Sequence, residues 1–371
     1  MQVTLPRQEL QEALAAAVTL ASARTPKPIL NCVCLAVDGE TMRLSSTDGE
    51  AGLRLSVEAL TVKRPGTMVV PAERLLGIVR ELPDVEVKLE ASEGRAQISG
   101  QSSQFRIVAA PPEDFPPVAG FEGEADLVVD GHLLRRMIGL TLYAAAKETS
   151  RFAINGVLWE KQGKRLFMVA TDGRRLARAG GALRESRSGD FETIVPARAL
   201  SVLEKVFVAP RDDDEWLVEV KLTPNQVLLR SGERVLSSTL VEGHFPKYQD
   251  VIPKSHDKKV RASREELLGA VRRAALLTTE ESRSVRLSFQ KDKLVVTSQA
   301  PDQGDARVEM GVSYEGEPIE IGFNPTYLAD ALRVLQHEEV FIEMQESFRP
   351  GVLSGEDKSE FLYVVMPVSV S

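Results

Sequence analysis

The chain reads as one unit written three times, and that constrains its fold more than any single motif. Thr47-Asp48-Gly49 and Thr171-Asp172-Gly173 lie 124 positions apart. Upstream of each, a charged turn separates two alternating apolar runs, at Asp38-Gly39 and at Gln162-Gly163, again 124 positions apart; the third copy places Lys291-Asp292 there. Apolar residues at helical spacing begin at Leu10 (Ala13, Leu14, Ala17, Val18), Leu134 (Met137, Ile138, Thr141, Leu142) and Leu267 (Ala270, Val271, Ala274, Ala275), which predicts an amphipathic helix early in each copy. Pro6, Asp130 and Ser263 precede them, and Ser263 with Glu266 forms a capping box. A second helix is predicted after Pro71, Pro196 and Asn324-Pro325, led by Leu75, Leu200 and Leu328. The two helices keep separations of 65, 66 and 61 residues in the three copies.

A period of this length is far beyond that of solenoids and propellers and is long enough for each copy to bury its own core. Between the helices, Thr41-Met42-Arg43-Leu44, Val85 to Leu89 and Val218 to Leu222 alternate as half-buried strands do, with Gly, Asn or Asp at the turns. Short hairpin connections impose antiparallel pairing. The expected fold class is α+β: three similar domains, each with two helices over antiparallel sheet. Breaks in the Pro- and Gly-bearing stretches Pro116 to Gly120 and Val251 to Lys254 put the domains at 1–120, 121–252 and 253–371.

Hydrophobic residues make up 43% and charged residues 27%, as in ordinary globular chains. No apolar stretch reaches the length of a membrane span and the first residues lack a signal peptide's apolar core, so a soluble, cytoplasmic protein is expected. The two cysteines, Cys32 and Cys34, fall on one face of a predicted strand, without neighbouring soft ligands; they are read as reduced core thiols. His132, His244, His256 and His337 are scattered without metal spacing, and no nucleophile elbow, Walker loop or dinucleotide fingerprint occurs. Neither a metal nor a cofactor is expected.

Asp172 is the one residue that invites a catalytic reading, as a hydrolase nucleophile or base. An Asp-Gly pair after a strand is also a turn signal, its carboxylate bonding N–H groups two residues on. The same slot holds Asp48 in the first copy, which favours the turn. A hydrolase would need a second catalytic group, and the segment offers only Arg174 and Arg175. Basic residues recur away from the apolar stripes: Arg135, Arg136, Arg272 and Arg273 on the first helices, Arg74, Arg80, Arg198, Lys205 and Arg333 on the second. The net charge of −8 argues against a grip on nucleic acid by bulk electrostatics, and leaves room for a positive strip on an acidic body. The terminal run Leu362 to Val368 is apolar where chain ends are ordinarily polar. It predicts a docked final strand with one face, and the residues past Pro367, open to a groove.

Three segments, Ala170-Thr171-Asp172-Gly173-Arg174-Arg175-Leu176-Ala177, Glu242-Gly243-His244-Phe245-Pro246-Lys247-Tyr248 and Tyr363-Val364-Val365-Met366-Pro367-Val368, closely resemble the bacterial DNA polymerase III β subunit family, the replication sliding clamps. The likeness covers the whole chain. Ser150 to Gly156, Asp114-Phe115-Pro116, and Arg24 followed by Pro28-Ile29-Leu30 also stand where that family has them.

The resemblance implies a head-to-tail homodimer, a ring of six similar domains around duplex DNA. It would be a non-catalytic processivity factor held topologically and without sequence preference. Arg24, Arg74, Arg80, Arg151 and Arg198 would then face DNA; Arg151 has the alternative role of a structural ion-pair partner. Phe105, Ile107, Leu276 and Leu277 would form the subunit interface, or else be ordinary core residues.

A pocket of Ile154, Thr171, Gly173, Arg174, Arg175, Leu176, Pro246, Val251 and Val364, Val365, Met366, Pro367 and Val368, with Asp250 at its rim, would bind short peptides bearing Gln and large apolar residues. Leu176 and Met366 would face those apolar side chains. The peptides would belong to the DNA polymerase III catalytic subunit, the clamp loader, other DNA polymerases and repair proteins. Two departures from the family pattern bear on partner preference: Asp250 stands where well-known members have Arg, and Val368-Ser369 replaces Met-Arg. A paralogue serving repair in place of replication is the nearest alternative reading, separable by genomic copy number.

Overall fold

The computed structural model describes residues 1–21, 25–92, 94–147, 153–210, 215–279 and 284–368. Among them are six α-helices: α1 (Arg7–Ala21), α2 (Ala72–Glu81), α3 (Gly131–Thr141), α4 (Ala197–Val206), α5 (Arg264–Ala274) and α6 (Pro325–Val334). Each starts where the sequence signals place it. Leu10, Leu14 and Ala17 of α1, Leu134, Met137 and Ile138 of α3, and Leu267, Ala270 and Val271 of α5 are buried. Ala13, Val18 and Ala275 lie at the half-buried margins of their stripes. The cap at Ser263 forms through its side-chain oxygen, which accepts the Glu266 N–H at 3.4 Å. Asn324 caps α6 in the same way, accepting from the Thr326 N–H at 2.9 Å. In the three equivalent hairpin turns Gly39, Gly163 and Asp292 have φ of 61°, 57° and 57°. The third copy thus keeps the left-handed turn without a glycine, and Asp is among the few residues that tolerate it.

The fold is α+β with antiparallel sheets throughout, and the described residues group into two compact units. The first comprises residues 1–132, 184–188 and 198–240. It holds a five-stranded sheet in the order Thr61–Arg64, Gln2–Pro6, Glu86–Ser92, Arg95–Ser99, Gln104–Val108. It also holds a nine-stranded sheet that runs from first-repeat strands into middle-repeat strands, joined where Ala51–Glu58 pairs with Arg234–Thr239. Helix α1 packs on α2 and on the strands Thr41–Thr47 and Ala51–Glu58.

The second unit comprises 133–183, 189–197 and 241–371. Its eight-stranded sheet joins middle-repeat and third-repeat strands where Arg175–Ala182 pairs with Phe361–Val365. A four-stranded sheet, in the order Gly304–Gly311, Lys293–Ala300, Val285–Gln290, Ile319–Phe323, completes it. Helix α5 packs on α6 and on Lys293–Ala300 and Gly304–Gly311.

Strands of each repeat divide between two sheets, and the sheets continue from one repeat into the next because an antiparallel edge accepts any backbone of matching length. Cys32 is buried and Cys34 half-buried on Cys32–Asp38, both as free thiols. Burial pushes both upward, away from the reactive thiolate. Among the described residues no helix is long and apolar enough to cross a membrane.

Candidate functional site

The two Thr-Asp-Gly tripeptides fold into the same hydrogen-bonded turn. Thr47 Oγ1 donates to the Ala51 carbonyl at 2.7 Å and accepts the Gly49 N–H at 3.0 Å. Asp48 Oδ1 accepts the N–H groups of Glu50 and Ala51 at 3.1 and 2.8 Å. In the second copy Thr171 donates to Arg175 at 2.6 Å and accepts from Gly173 at 3.1 Å. Asp172 Oδ1 accepts from the N–H groups of Arg174 and Arg175 at 3.0 and 3.1 Å. Gly49 and Gly173 have φ of 98° and 85°, a backbone that a β-carbon would strain. Asp172 is thus an acceptor that shapes a turn, and the groups it touches are donors with no role as a second catalytic partner.

The remaining oxygen of each Asp takes an arginine. Asp48 Oδ2 accepts from Arg198 Nε at 2.6 Å, and Asp172 Oδ2 from Arg175 Nε at 3.0 Å. Arg175 reaches further: Nη1 donates to Asp330 at 2.7 Å and Nη2 to the Tyr143 carbonyl at 2.8 Å. Its guanidinium lies 4.6 Å from the Tyr327 ring centre and 5.5 Å from that of Tyr143. Burial opposes its charge, but the Asp330 hydrogen bond, helped by nearby Asp172, outweighs burial and holds it firmly protonated.

This arrangement forms one wall of a cavity of about 190 Å³. Thr171, Gly173 and Arg174 come from the turn, Arg175 and Leu176 from the strand that follows it, Ile154 from the chain before Gly156–Gln162, and Pro246 and Val251 from the third-repeat approach. Val364 and Met366 come from the terminal segment, whose pairing ends with the Met366 N–H donating to the Arg174 carbonyl at 3.0 Å. Leu176 and Val364 are direct cross-strand partners. Together with Val169, Val352 and Leu362 they belong to the core cluster, so the cavity floor is the exposed skin of the hydrophobic core.

Four expected residues do not line it. Val365 is 0% exposed, since strand alternation turns it away from the face of Val364. Pro367 and Val368 are half-buried past the strand, and the Val368 N–H donates to the Gly322 carbonyl at 2.9 Å. Asp250 is exposed in the 3-10 turn Tyr248–Val251, outside the lining. Two residues absent from the expected set do line it, Lys247 and Tyr248. Their signal was present in Phe245-Pro246-Lys247-Tyr248, where only the proline was taken as pocket wall. Tyr248 is buried, and its hydroxyl donates to Glu160 at 2.5 Å. Burial, then Glu160, raises its pKa, keeping the hydroxyl protonated as a donor.

The other expected positions are dispersed. In the first unit Phe105 is 37% exposed and Ile107 half-buried on the edge strand Gln104–Val108. Arg74, Arg80 and Arg198 are exposed there, Arg198 within its Asp48 ion pair. In the second unit Leu276 is 77% exposed and Leu277 half-buried in the 3-10 turn after α5. Neither leucine is a core residue. Arg24 and Arg151 lie outside the described residues. Among those described, no group of His, Cys, Asp and Glu is placed to hold a metal ion.

Comparison with known proteins accounts for the whole chain. Family models described as the N-terminal, central and C-terminal domains of the DNA polymerase III beta subunit match residues 1–119, 128–247 and 249–369. The beta sliding clamps of Pseudomonas putida and Escherichia coli K12 are 32% and 30% identical over 369 residues, each alignment covering 99% of this chain and 100% of the relative. Solved structures of sliding clamps agree in fold. A Pseudomonas aeruginosa clamp bound to griselimycin superposes with a TM-score of 0.93 at 31% identity, and one from Thermotoga maritima with 0.91 at 28%, both covering 100% of each chain. With three repeats, a cavity built where the middle and third repeats share a sheet, and matches running from end to end, the chain belongs to the DNA polymerase III β subunit family, the bacterial sliding clamps.

Proposed function

We propose that two copies of this chain close head to tail into a ring around duplex DNA, and that the cavity at Leu176 and Met366 holds peptide segments of the proteins that work behind it. The domains of the ring are placed at 1–120, 121–252 and 253–371. Members of this family are non-catalytic processivity factors, consistent with Asp172 serving a turn.

The observation that carries the peptide reading is the cavity itself: an apolar floor continuous with the core and few polar groups around it. A floor of this kind supplies burial, while a donor such as the Arg174 side chain at its edge sets orientation. The partners are the DNA polymerase III catalytic subunit, the clamp loader, other DNA polymerases and repair proteins, met in the cytoplasm where the chromosome lies. The exposed arginines on the helices of an otherwise acidic chain suit loose, sequence-independent contact with phosphate. Closure is tested by retention: closed circular DNA keeps loaded protein and linear DNA sheds it. Equal retention on both would rule out topological holding.

The open edge strand with Phe105 and the exposed Leu276 are the natural surfaces for subunit contact, since a bare edge and a 77% exposed leucine both call for a cover. Leu276→Ala with Leu277→Ala gives a folded monomer in sedimentation. A dimer as tight as the parent's would remove both residues from the interface.

At the rim, Arg174 and Lys247 are cations and Asp250 an exposed anion close in sequence. Asp250→Arg weakens the binding of a peptide with added positive charge relative to its neutral counterpart, by less than about 1 kcal/mol and more clearly at low salt. Titration of both peptides against both proteins decides this; an unchanged ratio of the two affinities would place Asp250 away from the bound peptide.

A further inference from the structure

We propose that Asp330 couples the cavity to the exposed face of α6. Its carboxylate is shared by two arginines: Oδ2 accepts from Arg175 Nη1 at 2.7 Å and Oδ1 from Arg333 Nη1 at 3.1 Å. Arg175 is cavity wall and 9% exposed; Arg333, in the last turn of α6, is 53% exposed. One negative charge therefore serves two cations, one facing the cavity and one facing solvent. Helix α6 also grips the opposite wall. The Tyr327 ring stacks under Arg175, and the Tyr327 carbonyl accepts from the Tyr363 hydroxyl at 2.9 Å, on the strand that leads to Val364 and Met366. The first repeat ties its Thr-Asp-Gly turn to a helix as well, through Asp48 and Arg198 of α4.

The inference rests on the ring reading, and adds to it that the exposed Arg333 of α6 is one of the helix arginines that meet phosphate. A phosphate that engages Arg333 draws its guanidinium off Oδ1. The carboxylate, relieved of one cation, attracts Arg175 more strongly. Arg175 is then held more rigidly between its tyrosines, and a wall ordered beforehand loses less conformational freedom when a peptide binds. DNA thus strengthens peptide binding, and by linkage a bound peptide strengthens DNA binding by the same factor. Because Arg333 is half in solvent, the factor is modest, about two- to fivefold.

The test uses the whole dimeric protein, a labelled peptide with one Gln and two large apolar residues, and a short duplex of arbitrary sequence whose own binding is followed by anisotropy. With duplex saturating, the wild type binds the peptide about two- to fivefold more tightly than without it. Arg333→Gln binds the peptide without duplex as tightly as the wild type does with it, and no longer responds. Asp330→Asn binds peptide more weakly and does not respond. Arg273→Gln, on α5, needs more duplex to saturate but keeps the full response. A response preserved in Arg333→Gln, or none in wild type carrying bound duplex, overturns the coupling while leaving the ring reading intact. A wild type whose duplex anisotropy never rises overturns the ring reading and this inference with it.

Discussion

Met366→Ala lowers the affinity of an apolar peptide for the cavity roughly five- to more than a hundredfold and leaves the melting temperature unchanged. Removing a thioether side chain from a peptide contact forfeits burial of about 1 to 3 kcal/mol. Met366 is 41% exposed, so its own chain relies little on it. Leu176→Ala is a different experiment. Leu176 is 3% exposed and belongs to the core cluster, so its truncation costs about 2 to 5 kcal/mol of stability in addition to peptide affinity. Calorimetry beside a peptide titration separates the two. If Met366→Ala melts early, or binds peptide as the parent does, the terminal segment is structural and the cavity has another occupant.

Arg175→Ala produces the largest loss of stability expected from one polar residue here. Asp172, 20% exposed, would be left without its arginine, Asp330, 21% exposed, would keep only the solvent-facing Arg333, and the Tyr143 carbonyl would lose its donor. Removing one partner of a buried ion pair costs about 3 to 5 kcal/mol, and the partial exposure of both carboxylates puts this case near 3. For a unit of this size that is a fall in Tm of roughly 6 to 12 °C. Arg175→Lys does not rescue it, because a single ammonium cannot reach three acceptors that a planar fork reaches together. A Tm within a degree or two of the parent's would show that the cluster is ornamental, and would also weaken the case for Asp330 as a coupling residue.

The sequence by itself determined what is written within a few residues. The helices, their caps at Ser263 and Asn324, the hairpin turns and the repeated Thr-Asp-Gly turn each depend on contacts between near neighbours. Three copies of the same pattern allow each to check the others. Much of the cavity was legible too, because Thr171 to Leu176 and the terminal strand carry the family's own residues. Tertiary structure decided what depends on partners distant in the chain. No local pattern announces that Leu53 lies opposite Leu236 or Leu176 opposite Val364, since antiparallel edges join through backbone groups that every residue shares. That joining divides the middle repeat between two units, turns Val365 inward while Val364 faces the cavity, and brings Asp330 of α6 to Arg175. Side-chain direction at a strand's end and the partner of a buried charge follow from where the chain returns in space, which a one-dimensional pattern does not encode.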